Sequence, residues 1–455
     1  MKEEIKSLKE SFVIEQFEAC KLNFTDLSGE ANKIFNDLRS FCSVPGPSRC
    51  IAKLSRYFDP RIGKDKEFPM FERMKHFIIE VNNENHDKSK LILFQDYGNI
   101  ILLSGFREEP SLNEIKNIPI VLLSHADEIT YFKKMDSEII PLFNESPLKE
   151  QLQKEERKRI LNPKVSIYGF DGVSKNREFK RIGSGEIHIE LIKSKNAKNK
   201  GKDDKDKAKF YINEKDVGLI NIERPVKVGD LVIQDYDKSS DFQGLDSIIH
   251  AKALDDRVGV VSHLHTMREL NKLGIKAKAI FVGDEEGPAG PDIAWAKLTR
   301  PVFRKYCNEE NIIILCDGFD GKKLSEFYRK NTNDENSLVH LDEALIVSYR
   351  SKGKGAGDPG FFAMFRDEIV NFCKEKGFNA SITTDYVSRS MDPKIMDDFP
   401  IICSIDWSNG PIVKPTTEYF NVCHVDESVS LRQVINIIGT TFWTVLLLYR
   451  KINNY

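Results

Sequence analysis

Apolar positions along this chain follow two rhythms. At helical spacing stand Ile5, Leu8 and Phe12, then Ala31, Ile34, Phe35 and Leu38, and later Val258, Val261, Leu264, Met267 and Leu270. Each set predicts a helix with one apolar face. Between them lies the continuous apolar run 118–123, as expected of a strand covered on both faces, and 277–282 and 312–315 are also expected as strands. Segments 91–94 and 99–103 flank Asp96-Tyr97-Gly98 and predict a hairpin. Ser28 is placed to cap the second helix, which ends before Pro45-Gly46-Pro47-Ser48. Further helices are expected from about residue 291 and over 359–376. Strands alternating with helices in this way predict an α/β fold, a mainly parallel central sheet flanked by helices.

The rhythm changes between 130 and 246. Short β-like stretches at 186–192, 209–212 and 230–234, separated by Gly-rich turns, predict a small inserted β-barrel domain or sandwich. The catalytic domain is then expected in two parts, 1–129 and 247–455, with residues 1–27 as a helical extension. Within the insertion, 193–207 is nearly all Lys, Asn, Gly and Asp and reads as a solvated hairpin tip. Near the far end, 434–449 is strongly apolar but short of a bilayer's width and interrupted by Asn436, Gly439, Thr440 and Thr441, so a buried helix is expected there.

Charge narrows the partners. With 68 Lys and Arg against 70 Asp and Glu, no bulk field points to nucleic acid or to an anionic membrane. The eight cysteines are scattered without a Cys-x-x-Cys, which predicts reduced thiols in a cytosol. The opening Met1-Lys2-Glu3-Glu4, with no apolar core after it, predicts no export by a signal peptide.

The chemistry is read from acidic and histidine residues placed at the ends of expected elements. Asp255 and Asp256 precede the helix that begins its apolar rhythm at Val258, where a helix N-terminus suits a carboxylate that must stay charged. His125, Glu285, Glu286 and Asp317 follow expected strands, and His424 lies further on. Taken singly, an N-capping Asp, a strand-end histidine and an exposed Glu pair are ordinary structure. Together they form the ligand chemistry of a two-metal hydrolase. Asp255 is expected to bridge two divalent metal ions, with His125 and Asp317 completing one, Glu286 and His424 the other, and a water or hydroxide between them. Asp127 is placed to fix the His125 tautomer, and Glu285 to act as general base. His263 and His265, two apart on a helix, face different ways and are excluded as ligands.

These residues carry a resemblance. Pro45-Gly46-Pro47-Ser48, Asp96-Tyr97-Gly98-Asn99, His125-Ala126-Asp127-Glu128, Lys252-Ala253-Leu254-Asp255-Asp256-Arg257-Val258-Gly259, Glu285-Glu286, Asp317, Thr384-Asp385 and His424 resemble the ordered motifs of the tetrahedral (TET) family of dinuclear metallo-aminopeptidases. That family includes glutamyl, leucyl and lysyl aminopeptidases and proteins formerly labelled endoglucanase M. The resemblance implies an aminopeptidase acting on short peptides, zinc or cobalt as the metals with manganese a further candidate, and a homo-oligomer from a dimer up to a dodecamer. Two departures bear on substrate choice: Gly287-Pro288 replaces the family's Val-Gly after the Glu pair, and Asp406 to Glu418 is longer and more polar than the family's approach to the last histidine. A deacylase or carboxypeptidase on the same core is the alternative, and a scaffold that has lost catalysis is a second. Glycoside hydrolysis is disfavoured because adjacent Glu285 and Glu286 cannot by themselves flank a sugar bond.

Overall fold

A computed structural model describes residues 27–46, 69–84, 89–96, 98–128, 130–133, 138–141, 164–170, 179–192, 207–212, 231–234, 239, 241–283, 299–320, 342–347, 359–383, 401–409 and 427–454. The chain begins with α1 (Leu27–Ser43), α2 (Pro69–Glu84), β1 (Lys90–Asp96), β2 (Asn99–Phe106), α3 (Leu112–Lys116) and β3 (Ile120–His125). It continues through β4 (Thr130–Lys133), β5 (Glu138–Pro141), β6 (Lys164–Phe170), β7 (Phe179–Ile192), β8 (Lys207–Ile212) and β9 (Leu231–Gln234). Next come β10 (Ile248–His250), α4 (Leu254–Lys272), β11 (Ala277–Val282), α5 (Arg300–Tyr306), β12 (Ile312–Leu315) and β13 (Gly318–Asp320). The remainder is β14 (Ala344–Val347), α6 (Pro359–Glu375), β15 (Ala380–Thr383), β16 (Ile401–Asn409), β17 (Ser428–Ser430) and α7 (Leu431–Asn454).

One nine-stranded sheet runs β1-β2-β11-β3-β12-β16-β14-β15, with β13 paired to β16. Its centre, β11-β3-β12-β16, is parallel. The β14–β15 and β13–β16 pairs are parallel too, while the β1–β2 hairpin and the β2–β11 and β14–β16 pairs are antiparallel, so the sheet is mixed with a mainly parallel body. Side chains alternate across it. Ile120 and Leu122 of β3 join a core with residues of α1, α2, α4 and α7, while Val121 and Leu123 join a second core with Ile115 of α3 and Val302, Phe303 and Tyr306 of α5. Both faces are therefore dry, which is why β3 reads as a continuous apolar run.

The expected helix after Asp255 is present as α4, and it is buried on almost every side rather than along one stripe. His265 is part of that burial: its Nε2 lies 3.1 Å from Asp37 of α1, and Asp37 in turn accepts from Arg73 of α2 at 3.0 Å. Helix α1 begins at Leu27, so Ser28 stands inside it rather than at its cap. Helix α7 runs 24 residues, longer than the expected 434–449 and long enough to cross a bilayer, but its apolar window is 94% buried. Length was the wrong ground for reading it as a core helix; burial is the right one.

Strands β4-β5-β8-β7-β6-β9 close into a barrel, with Ile167 and Ile233 fully buried. Strands β7 and β8 pair up to Ile192 opposite Lys207, and the Lys-rich 193–206 between them lies outside the described residues. Residues 1–26 and the expected start of a helix near 291 lie outside them as well.

The expected strand at 277–282 is present as β11, and its second residue, Lys278, is fully buried. Its ammonium donates to the carbonyl oxygens of Ile115 at 3.0 Å and Tyr306 at 2.7 Å and to Asn311 Oδ1 at 2.7 Å. Ile115 is in the last turn of α3, where its carbonyl also accepts from the Ile118 amide at 3.2 Å, and Tyr306 is the last residue of α5, so one cation gathers two helix-end carbonyls. Burial pulls its pKa down to about 8.

Two stability measurements follow from these buried groups. Lys278→Met should lower unfolding free energy in urea by at least about 2 kcal/mol, because buried acceptors lose their donor. His263 is fully buried, both ring nitrogens lack a hydrogen-bond partner among the described residues, and burial pushes its pKa down to about 3. The unfolded chain takes up this proton near pH 6.5 and the folded chain does not, so stability is full above 6.5 and falls as pH drops toward 3. Urea titrations should show His263→Leu removing up to about 1.4 kcal/mol per pH unit of that acid sensitivity.

Candidate metal centre

Parallel register brings the first two candidate ligands together. Leu123 of β3 pairs with Leu315 of β12, and two residues further along each strand direction stand His125 and Asp317. Neighbouring strands lie about 4.8 Å apart, so side chains at the same offset can meet beyond the strands' carboxyl ends. His125 Nε2 lies 3.9 Å from Asp317 Oδ1. The amide of Gly318 donates to Asp317 Oδ1 at 2.7 Å and so orients that carboxylate.

Asp255 completes the group from the opposite element. Its Oδ1 lies 3.2 Å from His125 Nε2, and one ligand atom from each of His125, Asp255 and Asp317 falls within 4.8 Å of the others. The two aspartates divide the labour differently from the sequence reading. Asp256 caps the helix by accepting from the Gly259 amide at 2.9 Å, whereas Asp255 stands just outside regular helix at φ −87 and ψ 102. The peptide between them is cis. Gly318 backs the Asp255 carboxylate so closely that a Cβ there would sit 3.0 Å from it. An imidazole nitrogen and two carboxylates converging in this way are donors that fit a divalent cation such as zinc.

Asp127 is almost fully buried, with Oδ1 3.4 Å from His125 Nδ1, long for a hydrogen bond but on the ring nitrogen that faces away from the cluster. Glu285, Glu286 and His424 lie outside the described residues.

Next in the chain to His125 and Asp255 is a charged cluster to which sequence reasoning gave no role. Glu128 accepts from Lys252 Nζ at 3.0 Å and from the Gly46 amide at 2.7 Å, and returns its own amide to the Gly46 carbonyl at 2.8 Å. Arg257, wholly buried, donates to the Ala126 carbonyl and lies 3.9 Å from Glu128. Burial pulls the Arg257 pKa below its ordinary value, and Glu128 is the largest influence holding it up. Position 46 must be glycine, because a Cβ would strike the Arg257 guanidinium and approach the Ala126 carbonyl oxygen at 2.7 Å. A second missed residue is Glu427, also buried, whose Oε2 accepts from the Asp255 amide at 3.1 Å. The only sequence signal for these was charge inside otherwise small or apolar segments.

No family model matches the sequence, and no curated protein sequence does. Solved structures do share its fold. An aminopeptidase from the archaeon Desulfurococcus kamchatkensis, 15% identical, superposes with a TM-score of 0.55 over 91% of this chain and 94% of that one. A TET aminopeptidase from the marine sediment archaeon Thaumarchaeota archaeon SCGC AB-539-E09, 13% identical, gives 0.55 over 91% and 96%. The Pyrococcus horikoshii TET1 peptidase, described as assembling into a tetrahedron or a large octahedral shell, gives 0.51 at 14% identity over 91% and 99%. The chain is thus similar in fold to TET aminopeptidases over nearly its whole length.

Proposed function

We propose that this chain is a metal-dependent aminopeptidase that removes N-terminal residues from short peptides. The observation that carries the reading is the convergence of His125, Asp255 and Asp317 beyond parallel strand ends, on a fold similar to that of known aminopeptidases. Those three would hold one divalent cation. Asp255 would share a second with Glu286 and His424. Zinc or cobalt suits this mix of imidazole and carboxylate donors. Bound there, such cations lower the pKa of water from about 15.7 to about 7 and polarise a carbonyl oxygen.

The chain's own groups supply the rest. Asp127 would accept a hydrogen bond from the Nδ1–H of His125 and so fix the tautomer that turns the Nε2 lone pair toward the cluster. Glu285 would accept a proton from the attacking water and hand it to the departing amine. The barrel strands would form a separate inserted domain over 130–246, between catalytic segments 1–129 and 247–455. The assemblies described for the Pyrococcus protein support a homo-oligomer. Cys42, Cys307 and Cys373, free and buried, are consistent with a cytosolic setting.

A short peptide with a free amine and its N-acetylated twin, each incubated with the zinc- or cobalt-loaded protein, test this reading. The free peptide should be shortened from its N-terminus and the blocked one left nearly untouched; equal or faster turnover of the blocked peptide would move the assignment to a deacylase or carboxypeptidase. Glu285→Gln should keep its metal by elemental analysis while losing about a hundredfold or more in turnover. Normal turnover would remove Glu285 as the base.

A further inference from the structure

Glu427 is 1% exposed and sits one residue before β17. The antiparallel pairing of His250 with Ser428 places it opposite Ala251, on the approach to Asp255. The join is closed at its other end by the Leu431 amide donating to the Ser247 carbonyl at 2.9 Å. From that fixed position Glu427 Oε2 accepts from the Asp255 amide at 3.1 Å. Asp255 stands in the first turn of α4, where an amide has no acceptor within the helix, so this bond is what fixes its peptide. The same residue then projects its carboxylate to within 3.2 Å of His125, against the bare backbone of Gly318. Asp255 is held at its amide by Glu427 and confined at its carboxylate by Gly318.

We infer that Glu427 is a positioning residue for the metal-binding carboxylate of Asp255, setting cation affinity and coordination geometry without touching the cation. The inference rests on the metal-site reading above. It makes the acceptor oxygen the essential property of this side chain, because the group it holds is a neutral amide. Glutamine preserves that oxygen at the same reach. Methionine fills the same space and removes it. Aspartate keeps the charge but withdraws it by one methylene.

The test is a Co2+ titration of full-length protein against a competing chelator, reading the dissociation constant and the visible d–d absorption. Removing an outer partner of a metal ligand costs about 10–100-fold in metal affinity, so Glu427→Met should weaken cobalt by that factor and alter the absorption, with Glu427→Gln close to wild type in both. A folded Glu427→Met protein with the wild-type constant and spectrum overturns the inference. Should Glu427→Met fail to fold, Glu427→Asp carries the test: it must weaken cobalt and shift the spectrum, and wild-type behaviour overturns the inference equally. A wild-type protein that binds no cobalt overturns the metal reading and this inference together. Wild-type binding with indifferent variants overturns this inference alone.

Discussion

Two cations buried beside one carboxylate hold the functional end of this protein together. Taking each of Lys252, Arg257 and Glu128 out of water costs several kcal/mol, and only their mutual attraction together with added hydrogen bonds offsets that cost. The Gly46 amide and the Ala126 carbonyl supply such bonds. The strand-end loop at 125–128, the turn leading into α4 and the chain at Gly46 are therefore stable only as a unit. Losing Glu128 would leave both cations in the interior without their counter-charge, so this carboxylate ties the scaffold beside the candidate ligands together.

The opposite face of the sheet uses the same economy with different groups. There Lys278 meets neutral carbonyl oxygens, and it ties the ends of α3 and α5 to the strand that leads toward Glu285 and Glu286. His265 with Asp37 and Arg73 does similar work among α1, α2 and α4. Polar groups inside both layers fix which helix end meets which strand, a choice that interchangeable apolar contacts leave open.

Much of this was legible in local pattern. The run at Ile120 to Leu123 and the rhythm from Val258 to Leu270 gave β3 and α4, and strand ends gave His125 and Asp317 as neighbours in function. What was missed had two causes. Some signals were present and unread: Ser111 and Glu114 form the reciprocal cap of α3, and Met70, Met74, Phe77, Ile78 and Val81 recur at helical spacing through α2. Others have no local signature. Nothing near Asp255 tells that Asp256 alone caps the helix, since the apolar rhythm starts after both, and the partnership of Glu427 with an amide far earlier in the chain depends on the β10–β17 ladder. Likewise the parallel centre was readable from alternation, while the antiparallel entries of β2 and β14 are products of long-range pairing.

Because His125 and Asp317 ride on adjacent parallel strands, their meeting is a measurement of strand alignment. Sliding β12 by one residue would turn Asp317 to the other face, and sliding it by two would carry it about 6.6 Å along the strand. The centre of the sheet thus tolerates no added or deleted residue between its paired positions and His125 or Asp317. Chain length can vary only where it enters and leaves at a fixed pair of anchors. The stretch between Glu128 and β10 meets that condition, and it is where this molecule carries the barrel.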